Sequence, residues 1–470
     1  VEKYRISTDS LTPDEIVKYI EKFENEDKPG LDNLWDYYEG ENVKILKPRK
    51  ASDNNPDNRT PVPYGRKIIT TLVGYAYRPG YISYKSDNEA FLTELQATFD
   101  NNNEKIKTSA NGRNTGIYGY SAELLYLDKI NGKTDVRFTV IDPRELITFW
   151  NFDLEPKMLF AVRFYCYKEE NNQKYYKVVA YYPTETIYFD WKREYGGRGV
   201  IVEESREANY FGDVPVVIYE FPDEDGIIQP VVPLIDDYDA LISDSMNEFD
   251  RFSHAYLKLV GMQLDRQDKG ASPGAGGIFQ NVLQKIKRSR VFDNLKDKDD
   301  VTFLTKDIPT DYIRFMTELI AKQIHEQSHV PDFTAFKDLS GIAVERLMFD
   351  FENVVSSAEA LFDLGLKRRI ELITKIYATL GKATGEVGEI DISHKRNTPL
   401  NVQEYADTAL VMRNTGFSMY SILDYMPDEV IPDVEKELDR QKQEAKDQAP
   451  DVDNIPPNDM QNVNPNDNLQ

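Results

Sequence analysis

Residues 325–352 read "HEQSHVPDFTAFKDLSGIAVERLMFDFE", and the fold turns on how this stretch divides. Its first five residues match H-E-x-x-H, the helical signature of a zinc protease. On an unbroken helix His325 and His329 share a face and can hold one metal ion, with Glu326 as general base on a metal-bound water. Pro331 then forbids the helix to continue. From Ile342 to Leu380 there is no proline and a single glycine, Gly365. An unbroken helix over 342–380 spans about 58 Å at about 1.5 Å per residue, where mean helices have about 11–12 residues. The stretch reads as a helix end, a short loop and a very long helix.

A working zinc helix needs a third ligand and a rigid support. The metzincin position, six residues after His329, holds Ala335. The chain has four histidines, His254, His325, His329 and His394, and Glu359 in a loose E-x-x-x-D is the remaining ligand candidate. Pro331 leaves His329 on a fraying last turn. The plainer reading is a polar helix end whose histidines are solvated or pair with a neighbouring subunit. No G-x-x-x-x-G-K-[ST] and no G-x-S-x-G is present, and "GASPGAGG", residues 270–277, reads as a loop tip.

The chain has 470 residues with a net charge of −24, and 40 % of its residues are hydrophobic. A substantial core is possible, and broad gripping of nucleic acid is not. An acidic surface repels DNA and lets it slide. No stretch reads as a signal peptide or a membrane span. The lone cysteine, Cys166, fits a reducing compartment and, in the strand-like "FAVRFYCYKEE", is expected to be a small buried residue.

Working outward, "TPDEIVKYIEKF" opens a helix capped by Thr12, in an acidic segment 1–60 that reads as helical and then loop-like. "YGRKIITTLVGYAYRPGY" is a helix ending near Pro79-Gly80. From about 115 to 222 the period is two: a hairpin around Asn131-Gly132, a three-stranded meander from Met158, and the short strand "VPVVIYEFP". A long helix starts near Pro233, with Leu234, Tyr238, Leu241, Met246, Phe249 and Phe252 at helical spacing. A second helix carries Tyr312, Met316, Leu319, Ile320 and Ile324. Between them lies a basic knot of Lys285, Lys287, Arg288 and Arg290, whose plain alternative is a solvated helix face. "NVQEYADTALVMRNTG" is a short helix with an Asn401…Glu404 capping box and a Gly416 stop, and two further helices follow. The tail from about 447 is Asn/Asp/Pro-rich and is expected to be disordered.

The assembled pattern resembles the portal proteins of tailed bacteriophages. "VPVVIYEFPDEDGIIQPVVPLIDDYDALISDSMNEFDRFSHAYLKLVG" is similar to the portal segment entering its first stem helix. Residues 325–352 resemble the second stem helix, the tunnel loop and the start of the long wing helix, with P-D-[FL] and S-G-[IV]-A in that order. "ISHKRNTPLNVQEYADTALVM" with "EKELDRQKQE" resembles the crown, and the resemblance spans roughly residues 30–445. Only "TAFKDL" stands between Phe333 and Ser340, where this branch usually carries a longer Asn/Gly-rich stretch.

The resemblance implies an α+β portal fold, with a mixed wing domain at 1–230, stem helices at 231–258 and 307–330, and a small α/β clip at 259–306. A tunnel loop at 331–341, a long wing helix at 342–380, a helical crown at 381–446 and a disordered tail at 447–470 complete it. It implies a ring, usually of twelve subunits, at one capsid vertex of a virion assembled in the host cytoplasm. Such a ring conducts double-stranded DNA during packaging and ejection. Its partners would be its own copies, DNA, the terminase, a head-completion or adaptor protein, and the capsid and scaffolding proteins. No membrane, cofactor, metal or catalysis is implied. Thr334, Ala335, Phe336, Lys337, Asp338 and Leu339 would lie nearest the duplex, or form an ordinary surface turn with Phe336 as a packed anchor. The basic knot would serve docking at the clip. The rival readings are a zinc hydrolase built on His325, Glu326 and His329, and an oligomeric structural adaptor without DNA passage.

Overall fold

The computed structural model describes residues 3–47, 56–130, 132–194, 199–253, 256–260, 300–304, 310–333, 341–396, 402–426, 430–431 and 433–447. Helices α1 (Pro13–Glu26), α2 (Lys28–Glu39), α3 (Val43–Leu46), α4 (Tyr64–Ala76), α5 (Glu89–Asn102) and α6 (Glu104–Tyr118) form the N-terminal part with strands β1 (Lys3–Arg5) and β2 (Ile82–Lys85). Strands β3 (Tyr120–Ile130), β4 (Lys133–Ile141), β5 (Leu146–Trp150), β6 (Met158–Glu170), β7 (Gln173–Tyr181), β8 (Glu185–Glu194), β9 (Val200–Ala208) and β10 (Val216–Glu220) follow. Next come α7 (Val232–Ser253), β11 (Tyr256–Val260), β12 (Asp300–Leu304), α8 (Thr310–Gln327), α9 (Gly341–Leu380), β13 (Asp391–His394), α10 (Val402–Asn414), α11 (Met419–Tyr425) and α12 (Val434–Asp447).

Contacts group the chain into two compact units: Val1–Asp338 with Arg346–Asn397, and Leu339–Glu345 with Thr398–Gln470. In the first, a six-stranded sheet runs β1-β5-β6-β7-β8-β9 and a three-stranded sheet runs β10-β3-β4. Strand alternation gives the larger sheet two apolar faces. One packs Phe149, Phe160, Val162, Phe164, Val178 and Trp191 against Ile16, Val17, Ile20 and Phe23 of α1. The other sets Ala161, Val179 and Tyr181 against Ala122, Leu124 and Val216 of the smaller sheet. Helix α1 opens as expected: Thr12 and Glu15 form a reciprocal capping box with Pro13 at the first turn. The β3–β4 hairpin pairs Ile130 with Lys133 around Gly132, whose φ is 80°.

In the second unit, Ser418 caps α11 by accepting from the Ser421 amide, and Tyr405 of α10 meets Tyr425 of α11 with ring centroids 5.6 Å apart. Gly416, with φ of 90°, ends the run that contains α10.

Three expectations change. Cys166 is exposed, because β6 runs past the apolar cluster that ends with Phe164 and is bulged between Cys166 and Lys168. The helix expected over 231–258 stops at Ser253, and "YLKLV", with its aromatic and branched residues, pairs as β11 with β12. Strand β13 joins β2 in the first unit. Segment 1–60, read as helical and then loop-like, also holds a strand: β1 lies parallel to β5 at the sheet edge. Residues Asn401, 448–470 and most of 259–306 lie outside the described residues.

Candidate functional site

The segment that carries the site is the helical hairpin α7–α8 with its connection to α9. The buried face of α7 is polar. Ile235 is followed on that face by Asp239, Ser243 and Asn247, spaced four apart. Each of these three accepts from the backbone of an extended strap, residues 58–62. The Val62 amide donates to Asp239 Oδ1 at 2.8 Å, Thr60 to Ser243 Oγ at 3.0 Å, and Asn58 to Asn247 Oδ1 at 2.6 Å. The match is metrical. Four helical residues rise about 6.0 Å, and two extended residues rise about 6.6 Å. Alternate strap amides therefore meet successive turns of α7. Asn42 adds a donor to Asp239 Oδ2 at 2.8 Å, and burial raises the Asp239 carboxyl above its ordinary range despite these donors.

The buried polar side chains of α7 are thus engaged within the chain, and its exposed residues include Met246 and Phe249 as well as Asp237, Asp244 and Asp250. Met246 is 49 % and Phe249 50 % exposed. Helix α8 packs against α7, and its expected stripe splits in two. Ile324 is buried and Met316 and Ile320 half-buried, whereas Tyr312, Phe315 and Leu319, spaced three and four apart, are 61 %, 58 % and 40 % exposed. The start of α9 adds exposed Leu347 and Phe349.

At the end of α8 the zinc reading fails on ligand geometry. The helix stops at Gln327, and His329 lies beyond it with φ of 56°, so the two histidines do not share a helical face. His325 is buried, not solvated as the plainer reading has it. Its Nε2 lies 3.1 Å from Lys67 Nζ and its Nδ1 2.9 Å from the Val330 carbonyl oxygen. An ammonium only donates and a carbonyl only accepts. Nε2 therefore accepts from Lys67 and Nδ1–H donates to Val330, which fixes a neutral imidazole with no lone pair left for a metal. Glu359, the third candidate ligand, pairs with Arg396 and faces His394 instead. Among the described residues no group of three or more His, Cys, Asp or Glu side chains is placed to hold a metal ion.

Helix α9 is held to the first unit by two polar clusters that the sequence did not reveal. Arg369 is fully buried and bridges Glu123 of β3, at 2.7 Å from Nε and 2.9 Å from Nη2, and Glu104 of α6, at 3.1 Å. Burial opposes its charge, yet Glu123, Tyr219, Tyr84 and Glu104 hold its pKa well above the ordinary value. One turn earlier, Gly365 lets the helix approach Tyr219; a Cβ there would lie 2.4 Å from the ring.

The second cluster ties β13 to α9. Glu352, Glu359 and Asp363 align on one stripe of the helix. Arg396 donates to Glu359 at 2.7 Å and to Glu352 at 2.9 Å, and His394 Nε2 lies 2.8 Å from Asp363, with Glu359 Oε1 3.4 Å from Nδ1. Burial alone would depress the His394 pKa; Asp363 and Glu359 outweigh it and raise the imidazole to about 9. A raised histidine pKa stabilises below the unfolded value, about 6.5, and that gain is lost as pH rises through the folded value. Amide exchange of 391–396 should therefore be slowest near pH 6 and quicken, after correction for intrinsic rates, between pH 6.5 and 9. His394→Gln should abolish that dependence; an unchanged profile would remove His394 as its source.

The six loop residues Thr334, Ala335, Phe336, Lys337, Asp338 and Leu339 and the cations Lys285, Lys287, Arg288 and Arg290 lie outside the described residues. Their flanks are described: Val330 is buried, Phe333 is exposed, and α9 begins at Gly341.

The chain matches the family described as "Phage portal protein, SPP1 Gp6-like" over residues 17–451, and it belongs to that family. It is similar, at 10 % identity, to a chain in the neck of an empty GTA particle, with a TM-score of 0.42 over 76 % of this chain and 87 % of that one. A chain in the virion of a native gene transfer agent particle gives 0.41 at 10 % identity, covering 84 % and 91 %. An HK97-family phage portal protein from Corynebacterium diphtheriae gives 0.33 at 10 % identity, covering 70 % and 91 %. No curated protein matches the chain.

Proposed function

We propose that this protein forms a ring, of about twelve copies by its family resemblance, at one capsid vertex of a phage, as a structural channel for DNA and not as an enzyme. The supporting observation is the hairpin α7–α8: the buried polar side chains Asp239, Ser243 and Asn247 are taken up by the strap, while the apolar residues Met246, Phe249, Tyr312, Phe315 and Leu319 are exposed in a single chain. Adjacent copies around an axis would cover them.

In this reading residues 1–230 with α9 are the wing, α7 and α8 the stem, the segment around β11 and β12 the clip, and the C-terminal unit the crown. Lys285, Lys287, Arg288 and Arg290 serve clip docking of the packaging ATPase. Residues 334–339 form the loop nearest the duplex. Partners are the terminase, a head-completion protein, and the capsid and scaffolding proteins; the site is the virion, after assembly in the host cytoplasm. The net charge of −24 limits adhesion of DNA to the wall, since each phosphate neutralised adds affinity.

Class-averaged electron micrographs of the purified chain, with mass by light scattering, should show a ring whose hole admits a duplex. A chain that stays monomeric overturns the ring. A ring too narrow for DNA would favour an adaptor without DNA passage.

A further inference from the structure

We propose that the hydrogen bond from Lys67 to His325 is a protonation-released catch that ties the turn closing α8 to α4. Its meaning for DNA passage rests on the portal reading, whereas the catch itself is a property of the folded chain.

The catch ties down a tight turn. Beyond α8, the Ser328 amide donates to the Ile324 carbonyl at 3.0 Å and the His329 amide to that of Glu326 at 3.3 Å. His329 then takes the left-handed conformation, which a non-glycine residue adopts at some cost. The imidazole of His325 spans this turn and grips the carbonyl of Val330, whose side chain is buried. The far side of the ring is tied to α4 through Lys67, and Tyr64 meets it edge-on with centroids 6.2 Å apart. One side chain thus links three parts: the end of α8, the residues leaving it, and α4.

The bond from Lys67 needs a neutral ring, whereas the Nδ1–H that donates to Val330 is kept when the ring is protonated. Protonation places an N–H at Nε2, pointing at an ammonium 3.1 Å away. Two donors and two positive charges then face each other. Asp332, 3.6 Å from Lys67 Nζ, is placed to take the ammonium as it withdraws. The other charged and titratable groups around the ring do not supply a compensating anion. Tyr64 of α4 meets Tyr238 of α7 edge-on, and Asp239 is bound to Asn42 and the strap. On α8 itself Glu326 pairs with Lys322 at 3.3 Å. Burial, with Lys67 beside it, holds the imidazole below its ordinary pKa, while the Val330 carbonyl and Asp332 pull the other way. For a histidine with a depressed folded pKa, the closed state is fully favoured above about pH 6.5 and loses ground as pH falls from there.

The test is amide exchange read by mass spectrometry on the full chain, from pH 8 to pH 5, corrected for intrinsic rates. Protection of residues 326–333 should fall as the pH drops below about 6.5, while the buried part of α9 stays constant. His325→Gln keeps an acceptor for Lys67 and a donor for Val330 but does not titrate, so its protection should be flat. Lys67→Met removes the opposing ammonium and should weaken the fall. A flat wild-type profile overturns the catch, as does an equal fall in either variant. The readout needs neither ring nor DNA, so a failure of the portal reading would show separately, in the particle mass.

Discussion

Arg369→Met should cost the first unit about 3–5 kcal/mol, because removing one partner of a buried ion pair strands the other charge without water. Here two carboxylates are stranded: Glu123 is fully buried and Glu104 nearly so. Tyr219 and Asn111 still donate to Glu123, and Tyr84 and Thr108 to Glu104, but none supplies a positive charge. Unfolding in urea followed by circular dichroism should show the drop. Adding Glu104→Gln and Glu123→Gln should recover a large part of it, since a neutral set no longer buries charge. Arg369→Lys should fall between, as an ammonium cannot engage both groups as the guanidinium fork does. If Arg369→Met unfolds at the wild-type midpoint, the triad is not what holds α9 in place.

Phe315→Glu combined with Leu319→Glu should abolish ring formation and leave the folded chain intact. Both positions are exposed in the single chain, where substitutions usually change stability by less than about 0.5 kcal/mol. In a ring each would forfeit about 1.5–3 kcal/mol of apolar burial and carry a carboxylate into a covered seam. The loss repeats at every interface around the ring. Light scattering should report monomer mass with an unchanged circular dichroism spectrum. Rings of wild-type mass would show that this stripe is not a subunit contact.

Much of the architecture was legible where one local rule dominates. The absence of proline between 342 and 380 marks α9, and Thr12 with Glu15 marks the start of α1. The one glycine in that run has a reason visible only in three dimensions, the ring of Tyr219. The polar ladder of α7 was not legible, because the backbone donors that meet Asp239, Ser243 and Asn247 lie in a strap about 180 residues earlier. H-E-x-x-H was legible as letters, but its meaning depends on where the helix ends, and the helix ends two residues before His329. Edge strand β1 has only three residues, too few to show a period, and β9 lacks the apolar alternation of the central strands, so a period-based reading passes over both. Arg369, His394 and Arg396 acquire partners 31 to 265 residues away, except that Arg396 and His394 share theirs, and no spacing rule reaches that far.

The strap also sets a timetable for synthesis. Its amides at 58, 60 and 62 have their acceptors 177 to 189 residues downstream. At about 5–20 residues per second, a chain emerging from the ribosome waits on the order of 10–40 s before α7 exists to receive them. During that interval the strap is hydrated and open to proteases, and the N-terminal helices cannot reach their final arrangement against it. The hairpin that carries the uncovered apolar stripe is therefore also the piece that completes the N-terminal region, so a newly made chain seals its oldest part as it produces the surface on which copies would meet.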